Sequence, residues 1–444
     1  MIWKDAISKL RNSGRSDLLA GFVVSLVALP LSLGLALASN VPPLAGMMAA
    51  LSGGIIMALL GGSHVTISGP GNSLVVVTLM GVSLLGGGDP IAGYYFTLAA
   101  VVLSGILIFL AGLLRFGGLS DFFPSSAVQG MLAAIGIIIM TKQIHIMLGE
   151  MNPDGEETIG HLMNLPETFW EVATGKFGPW VVGTGLGSLA ILVFYPRIRN
   201  SYVQAIPAPM WVVVISILIS YIFEWNDVDH PIPASYLVNV PEAPLSHLPI
   251  PNFTKIQDWI FWEVVFSLFL IATIESLLSI KGMDRLDPLQ RRSNTNKDLR
   301  SLGIANVVSG MLGGLNVVVV IARSSVNVTN GARTRWSNFF HGAIILLFLL
   351  LFRDLLVRIP LPALAAILVY TGWQLTRPEK FMKVYEVGWD QLSIFIVTLV
   401  ATLMTNLIMG ITIGILLTLF LQLYLSRSPE IILRNLFKPN AMLL

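Results

Sequence analysis

Long apolar stretches free of charge alternate with short polar breaks along almost the whole chain. Residues 18–88 contain no Asp, Glu, Lys or Arg. A hydrocarbon core of ~30 Å takes ~20 apolar residues per spanning helix, so this stretch alone holds about three segments. The pattern predicts spans at 18–37, 44–60, 72–86, 91–114, 125–148, 178–195, 206–223, 259–280, 300–312, 323–333, 336–352, 361–376, 390–409 and 411–426. Segments 72–86 and 323–333 are too short to cross as helix alone, and 300–312 is short and interrupted by Gly. The expected fold class is an all-α polytopic membrane protein of about 14 transmembrane segments, with two short half-helices each preceded by an extended strand.

Composition agrees. The chain is 55% hydrophobic and 12% charged, which excludes a soluble globular protein and a disordered chain. A net charge of +2 makes no case for nucleic acid. With no Cys, disulfides, thiolate metal sites and a Cys nucleophile are excluded. Lys4, Lys9, Arg11 and Arg15 precede the first span, which runs on into further spans without a cleavage site, so no signal peptide is expected.

Basic residues orient the spans. With the N-terminus inside, the outer side holds Lys142, Lys176, Lys255, Arg353 and Arg358. Arg323 falls within the membrane, and all other Lys and Arg lie inside, as the positive-inside rule requires. The expected organisation is a cytoplasmic segment 1–16, a transmembrane domain 17–426 and a cytoplasmic tail 427–444. The expected localisation is integral in a membrane, taken as the bacterial inner membrane, with lipid as a partner and a homodimer left open. Loops 149–177 and 224–258 fall outside, and neither is large enough for a catalytic domain.

A weak internal repeat appears. Gly61-Gly62 precedes the short third span and Gly313-Gly314 precedes the short tenth. Seven spans per half would invert the second half, and paired interrupted segments point to a transporter binding site.

Three constellations carry candidate chemistry. In Ser68-Gly69-Pro70-Gly71-Asn72-Ser73, Gly and Pro forbid a continuous helix, so a strand leading to a helix start at Asn72 or Ser73 is expected. Free N–H groups at such a tip suit an anion; the alternative is a surface loop that merely starts a helix. Val317-Val318-Val319-Val320-Ile321-Ala322-Arg323-Ser324-Ser325 reads as a second strand and helix start, with an intramembrane Arg beside it. Arg323 either attracts an anion, snorkels to one face or pairs with a structural carboxylate. Glu275 is the only carboxylate deep within a span, with Ser279 one turn away on the same face. It can exchange a proton, bind a cation or form a fixed pair with Arg323.

Gly21, Ser25, Ala28, Ser32, Ala36, Gly46, Ala49 and Gly53 lie at helix-face spacing and are expected to serve packing alone. Pro30 suggests a kink or local unwinding. The six His show no metal spacing, and no Walker loop, Gly-x-Ser-x-Gly or His-Glu-x-x-His occurs, so neither ATP drive nor enzymatic catalysis is expected.

These residues resemble the SulP family of anion transporters (sulfate permease-like) over nearly all of 15–430. The resemblance is carried by Asp17-Leu18-Leu19-Ala20-Gly21 with Ala28-Leu29-Pro30, Gly61-Gly62 with Ile67-Ser68-Gly69-Pro70, Asn306 to Gly314 leading into Ala322-Arg323-Ser324-Ser325-Val326-Asn327, and Gly331-Ala332-Arg333-Thr334. It implies a seven-plus-seven inverted repeat, shared with nucleobase permeases, with a core (17–114 and 259–352) and a gate (115–223 and 353–426). The implied anion site is Gly71, Asn72 and Ser73 facing Ile321, Ala322 and Arg323, with Leu31 and Leu35 lining the cavity. Glu275 falls at the family's ion-coupling position, with Ser279 beside it, and a Glu there leans toward H+ over Na+. The chain departs from relatives in its Val-rich approach to Arg323, which supplies no side-chain hydroxyl, and in Asn316, where a Pro is common. The resemblance implies that most relatives also carry a C-terminal STAS domain, and none is expected within the residues that follow Arg427 here.

The resulting expectation is a secondary active, elevator-type transporter of bicarbonate, sulfate or a dicarboxylate, coupled to H+ or Na+ and needing no cofactor. The alternatives are an uncoupled anion channel, a nucleobase permease of the same fold and a non-transporting membrane anion sensor.

Overall fold

The computed structural model describes residues 2–121, 124–151, 153, 158–204, 206–225, 232–241, 246, 248–405 and 407–426. The expected tail 427–444 lies outside the described residues. A helix falls on every predicted span. These helices are α1 (Ile2–Ala38), α2 (Pro43–Leu60), α3 (Leu74–Gly86), α4 (Pro90–Leu113), α5 (Ser125–Leu148), α6 (Pro179–Phe194) and α7 (Ala208–Trp225). They continue as α8 (Trp259–Leu286), α9 (Thr295–Met311), α10 (Ile321–Thr329), α11 (Trp336–Leu351), α12 (Leu361–Thr376), α13 (Trp389–Met404) and α14 (Leu407–Ser426). Among the described residues, six helices are long and apolar enough to cross a membrane: Ser13–Ala38, Pro43–Leu60, Pro90–Leu113, Ser125–Leu148, Pro179–Arg197 and Trp259–Leu286.

Two short strands interrupt the helices, β1 (Ser68–Pro70) ahead of α3 and β2 (Val317–Val319) ahead of α10. They pair antiparallel, with Ser68 opposite Val319, Gly69 opposite Val318 and Pro70 opposite Val317. All six strand residues are buried. Paired strands satisfy each other's backbone groups, which is the condition for non-helical chain at this depth.

Helix packing is close because small residues sit at the crossings. A Cβ on Gly46 of α2 would lie 1.8 Å from the Ser32 carbonyl oxygen of α1, and Gly105 of α4 rests on Gly303 and Val307 of α9. Larger residues there would force the helices apart. α4 packs on α9 and α2 on α11, while α5 packs on α12 and α13.

Three local expectations change. α1 runs through Pro30 as an unbroken helix, with no unwound turn. It also begins at Ile2, well before the apolar run. Segment 149–177 is not simply loop, since it contains the helix Thr158–Ala173, with Pro166 inside it.

Candidate functional site

Pro70 lacks an N–H and flanking Gly residues keep the chain extended, so β1 cannot run on as helix and α3 restarts after Ser73. On the other side, the β-branched run Val317–Val320 favours strand, and α10 starts at Ile321. Because the strands are antiparallel, the two helices leave opposite ends of a ribbon roughly 10 Å long. Neither N-terminus has a side-chain cap. Each therefore keeps first-turn N–H groups and the positive end of its dipole available.

Two missing side chains seat the two charged residues. A Cβ on Gly71 would lie 3.0 Å from Glu275 Oε2 and 2.4 Å from Val318 Cγ2. A Cβ on Gly69 would lie 2.9 Å from Arg323 Nη1. Glu275 of α8 thus rests at the tip of α3, where its carboxylate accepts a hydrogen bond from the Ser73 hydroxyl. Its neighbour Ser276 accepts from the Val319 N–H at 3.1 Å, fixing α8 against β2.

Arg323 behaves differently from a residue placed to grip a ligand directly. Its side chain is 2% exposed, and its Nε and Nη1 are buried without a hydrogen-bond partner. Among the described residues no ion pair within 4.0 Å joins it to Glu275. The guanidinium packs against Gly69 of β1. His341 of α11 is an electrostatic neighbour of Arg323; it is fully buried with both ring nitrogens unpartnered, and Ser68 Oγ is likewise buried without a partner.

The remaining predicted site residues divide. Gly71 and Ser73 are buried and Asn72 is half-buried beside Glu275's seat. Ile321 and Ala322 are exposed at the tip of α10, with Ile321 lying over Gly282 of α8. Leu31 is half-buried, whereas Leu35 is fully buried in the core. Ser279 is also buried, and among the described residues no hydrogen bond joins it to Glu275.

Several residues that hold the ribbon were not singled out for chemistry. Asn306 of α9 accepts from the Val317 N–H at 2.7 Å and donates to the Val317 and Leu302 carbonyls. Asn338 of α11 accepts from the Ser68 N–H at 3.1 Å, and the Ser324 hydroxyl accepts from the Ile67 N–H at 2.8 Å. A lone amide inside an apolar run was the available signal, since such a group is rarely left unbonded. Carboxylates pin the flanking turns. Asp298 accepts from the Gly62 and Ser63 N–H groups, and Asp17 accepts from the Arg333 and Thr334 N–H groups and the Thr334 hydroxyl.

The profile of the Sulfate permease family matches residues 15–398. The Bacillus subtilis protein YvdB is 29% identical over 82% of this chain and 65% of its own length. The bicarbonate transporter BicA of Picosynechococcus sp. is 27% identical over 81% of this chain and 61% of its own length. The chain thus spans a little under two thirds of these curated relatives. Among solved structures, the transmembrane domain of a cyanobacterium bicarbonate transporter BicA superposes with a TM-score of 0.77 at 27% identity. That match covers 90% of this chain and 97% of that one. SLC26A9 superposes with a TM-score of 0.80 at 16% identity, over 94% of this chain and 66% of that one, which is a likeness of fold.

Proposed function

Because this integral membrane chain belongs to the sulfate permease family, we propose that it is a secondary active transporter of a small oxyanion. Bicarbonate, sulfate and a dicarboxylate are the candidate substrates, and the bacterial cytoplasmic membrane is the proposed location. One observation carries the reading: two uncapped helix tips flank a buried strand ribbon, and a carboxylate, Glu275, already rests at one of them. A tip whose Ser73 hydroxyl already donates to a carboxylate can also hold a substrate oxyanion, through that hydroxyl, its first-turn N–H groups and its dipole.

In this reading Gly71, Asn72 and Ser73 offer one half of the anion site, and the N–H groups of Ile321, Ala322 and Arg323 the other. Arg323 adds positive potential from its seat against Gly69. Glu275 is the coupling group. When it takes up H+, or Na+ is held beside it, its charge at the α3 tip is offset and the Ser73 hydroxyl is released to the substrate. The tip then accepts one negative charge at a time, which ties anion binding to cation uptake.

The fourteen helices form a seven-plus-seven inverted repeat, oriented with the N-terminus inside. The α4–α9 and α2–α11 packing supports a core of α1–α4 with α8–α11, and the α5–α12 and α5–α13 packing supports a separate gate. Movement of core against gate carries the anion across.

The test is counterflow in proteoliposomes with radiolabelled sulfate, bicarbonate and a dicarboxylate. Saturable exchange driven by a proton or sodium gradient is expected. Linear, uncoupled flux would make the protein a channel, and binding without flux would make it a sensor. Displacement of the label by nucleobases would place it with nucleobase permeases.

A further inference from the structure

We infer that Lys142 is an anion-recognition residue in the cavity between α3 and α5, which a travelling anion meets before the site described above. The inference rests on the transporter reading and names a second group that the travelling anion meets. A cavity of about 1000 Å³ opens between α1, α3 and α8 on one wall and α5, α12 and the α13–α14 turn on the other. Its lining includes Gly34 of α1 and Val76 and Val77 of α3, with Val77 about one helical turn along α3 from Ser73. The positive-inside orientation places its mouth on the outer face.

The charge in this cavity is unevenly placed. Lys142 is the one Lys or Arg among its described lining residues, and Asp89 and Glu263 are the acids. Asp89 is engaged at the rim, where its carboxylate caps α4 by accepting from the Ile91 and Ala92 N–H groups. Glu263 stands on α8 and Lys142 on α5, and among the described residues no ion pair within 4.0 Å joins them. Of the basic residues assigned to the outer side, only Lys142 lies within a span helix. It is half-buried, with Gln143 beside it in the same wall.

An ammonium in a wall of low dielectric, without a carboxylate partner, is costly unless water or a mobile anion solvates it. The field of that ammonium is strongest at short range, so it acts most on an anion passing the α5 wall. Lys142 therefore draws an oxyanion toward the α5 wall and away from Glu263. It acts on capture, which appears in KM, and leaves the later movement of core against gate unchanged.

The absence of Cys makes the test specific, because Lys142→Cys gives the chain a single thiol. Uptake of radiolabelled sulfate and bicarbonate is measured with the full chain in proteoliposomes. Lys142→Gln and Lys142→Cys are expected to raise KM roughly three- to tenfold at low ionic strength, the scale of one partly screened charge. Maximal rate should hold, and Lys142→Arg should keep the original KM. A cationic methanethiosulfonate on Lys142→Cys should restore KM, and an anionic one should raise it further. Equal effects of the two reagents, or an unchanged KM in an active Lys142→Gln protein, would overturn the inference while leaving the transporter reading standing. Should the unmodified protein move none of the anions, the transporter reading falls instead. The rate of thiol modification then decides the matter without transport: slowing by sulfate or bicarbonate supports Lys142 as a binding group, and an unchanged rate refutes it. If Lys142→Cys does not fold, the Gln and Arg variants carry the kinetic comparison.

Discussion

The two strand–helix units around the ribbon solve the same backbone problem with opposite chemistry. The β1–α3 unit is built on Gly and Ser, and its helix tip meets a carboxylate through the Ser73 hydroxyl. The β2–α10 unit is built on Val. Its tip exposes the apolar side chains of Ile321 and Ala322, while its one charge, Arg323, turns back to pack on Gly69 of the other strand. One unit therefore presents side-chain and backbone groups, and the other presents backbone alone with a cation held against Gly69. Gly69 and Gly71 make this possible, because their missing Cβ atoms leave room for the guanidinium and the carboxylate.

The largest expected effect breaks the second unit. Arg323→Met removes the positive potential yet fills the space with a similar apolar stem. Uptake should fall by about tenfold or more, the scale of losing one charge-assisted interaction. Thermal stability should hold or rise, because a buried guanidinium with unpartnered Nε and Nη1 costs several kcal/mol of desolvation. A drop in both would mean that Arg323 is paired after all. Next comes the first unit. Glu275→Gln keeps a hydrogen-bonding partner for Ser73 but removes the charge from the α3 tip. Uptake should persist within about tenfold and lose its proton or sodium dependence, since the remaining neutral bond is worth only about 1 kcal/mol. Persistence of that dependence would place coupling elsewhere.

A third test asks which strand is held harder. Asn306→Ala strips β2 of two bonds, both at Val317, and leaves the Val317 N–H buried without its partner, at a cost of roughly 2–4 kcal/mol. Asn338→Ala removes one longer bond to Ser68 and should cost about 1–2 kcal/mol. Thermal unfolding in detergent checks the order, and equal losses would mean that the ribbon behaves as one piece held from both sides.

What the sequence reveals and hides follows the range of the interactions. The helices lie where charge-free runs predict them, because exclusion of charge from lipid is written residue by residue. Both strand–helix breaks are also local, marked by Gly69-Pro70-Gly71 and by the β-branched run before Ile321. The pairing of Ser73 with Glu275 is not local, since 202 positions separate them. Nor is the direction of Arg323, which depends on a glycine in the other half of the chain. Leu35 sits at helix spacing from Leu31 and matches it in type, yet it is buried in the core, because rotation of α1 is set by what packs on it. The helix Thr158–Ala173 stays hidden because Pro166 and the surrounding acids read as loop.

The smallest effect sharpens the comparison at its edge, in the turn between α8 and α9. There Arg291 bonds Asp287 at 2.7 Å and the Arg333 carbonyl at 2.9 Å, tying the turn to the chain that follows α10. Burial pushes the Asp287 carboxyl up. The Arg291 guanidinium and the Leu289 and Arg291 N–H groups outweigh this and hold it below the ordinary carboxylate value. A depressed native value means that the charged form stabilises the fold. That contribution is present above the unfolded carboxylate value, near pH 4, and is lost as pH falls through the native one. Asp287→Asn should therefore lower stability at neutral pH by under about 1 kcal/mol, as for a partly solvated pair. The difference from the parent should shrink as the medium is acidified below pH 4. If the gap stays constant across that range, the clasp works through its hydrogen bonds alone, and the second unit owes nothing at this edge to charge.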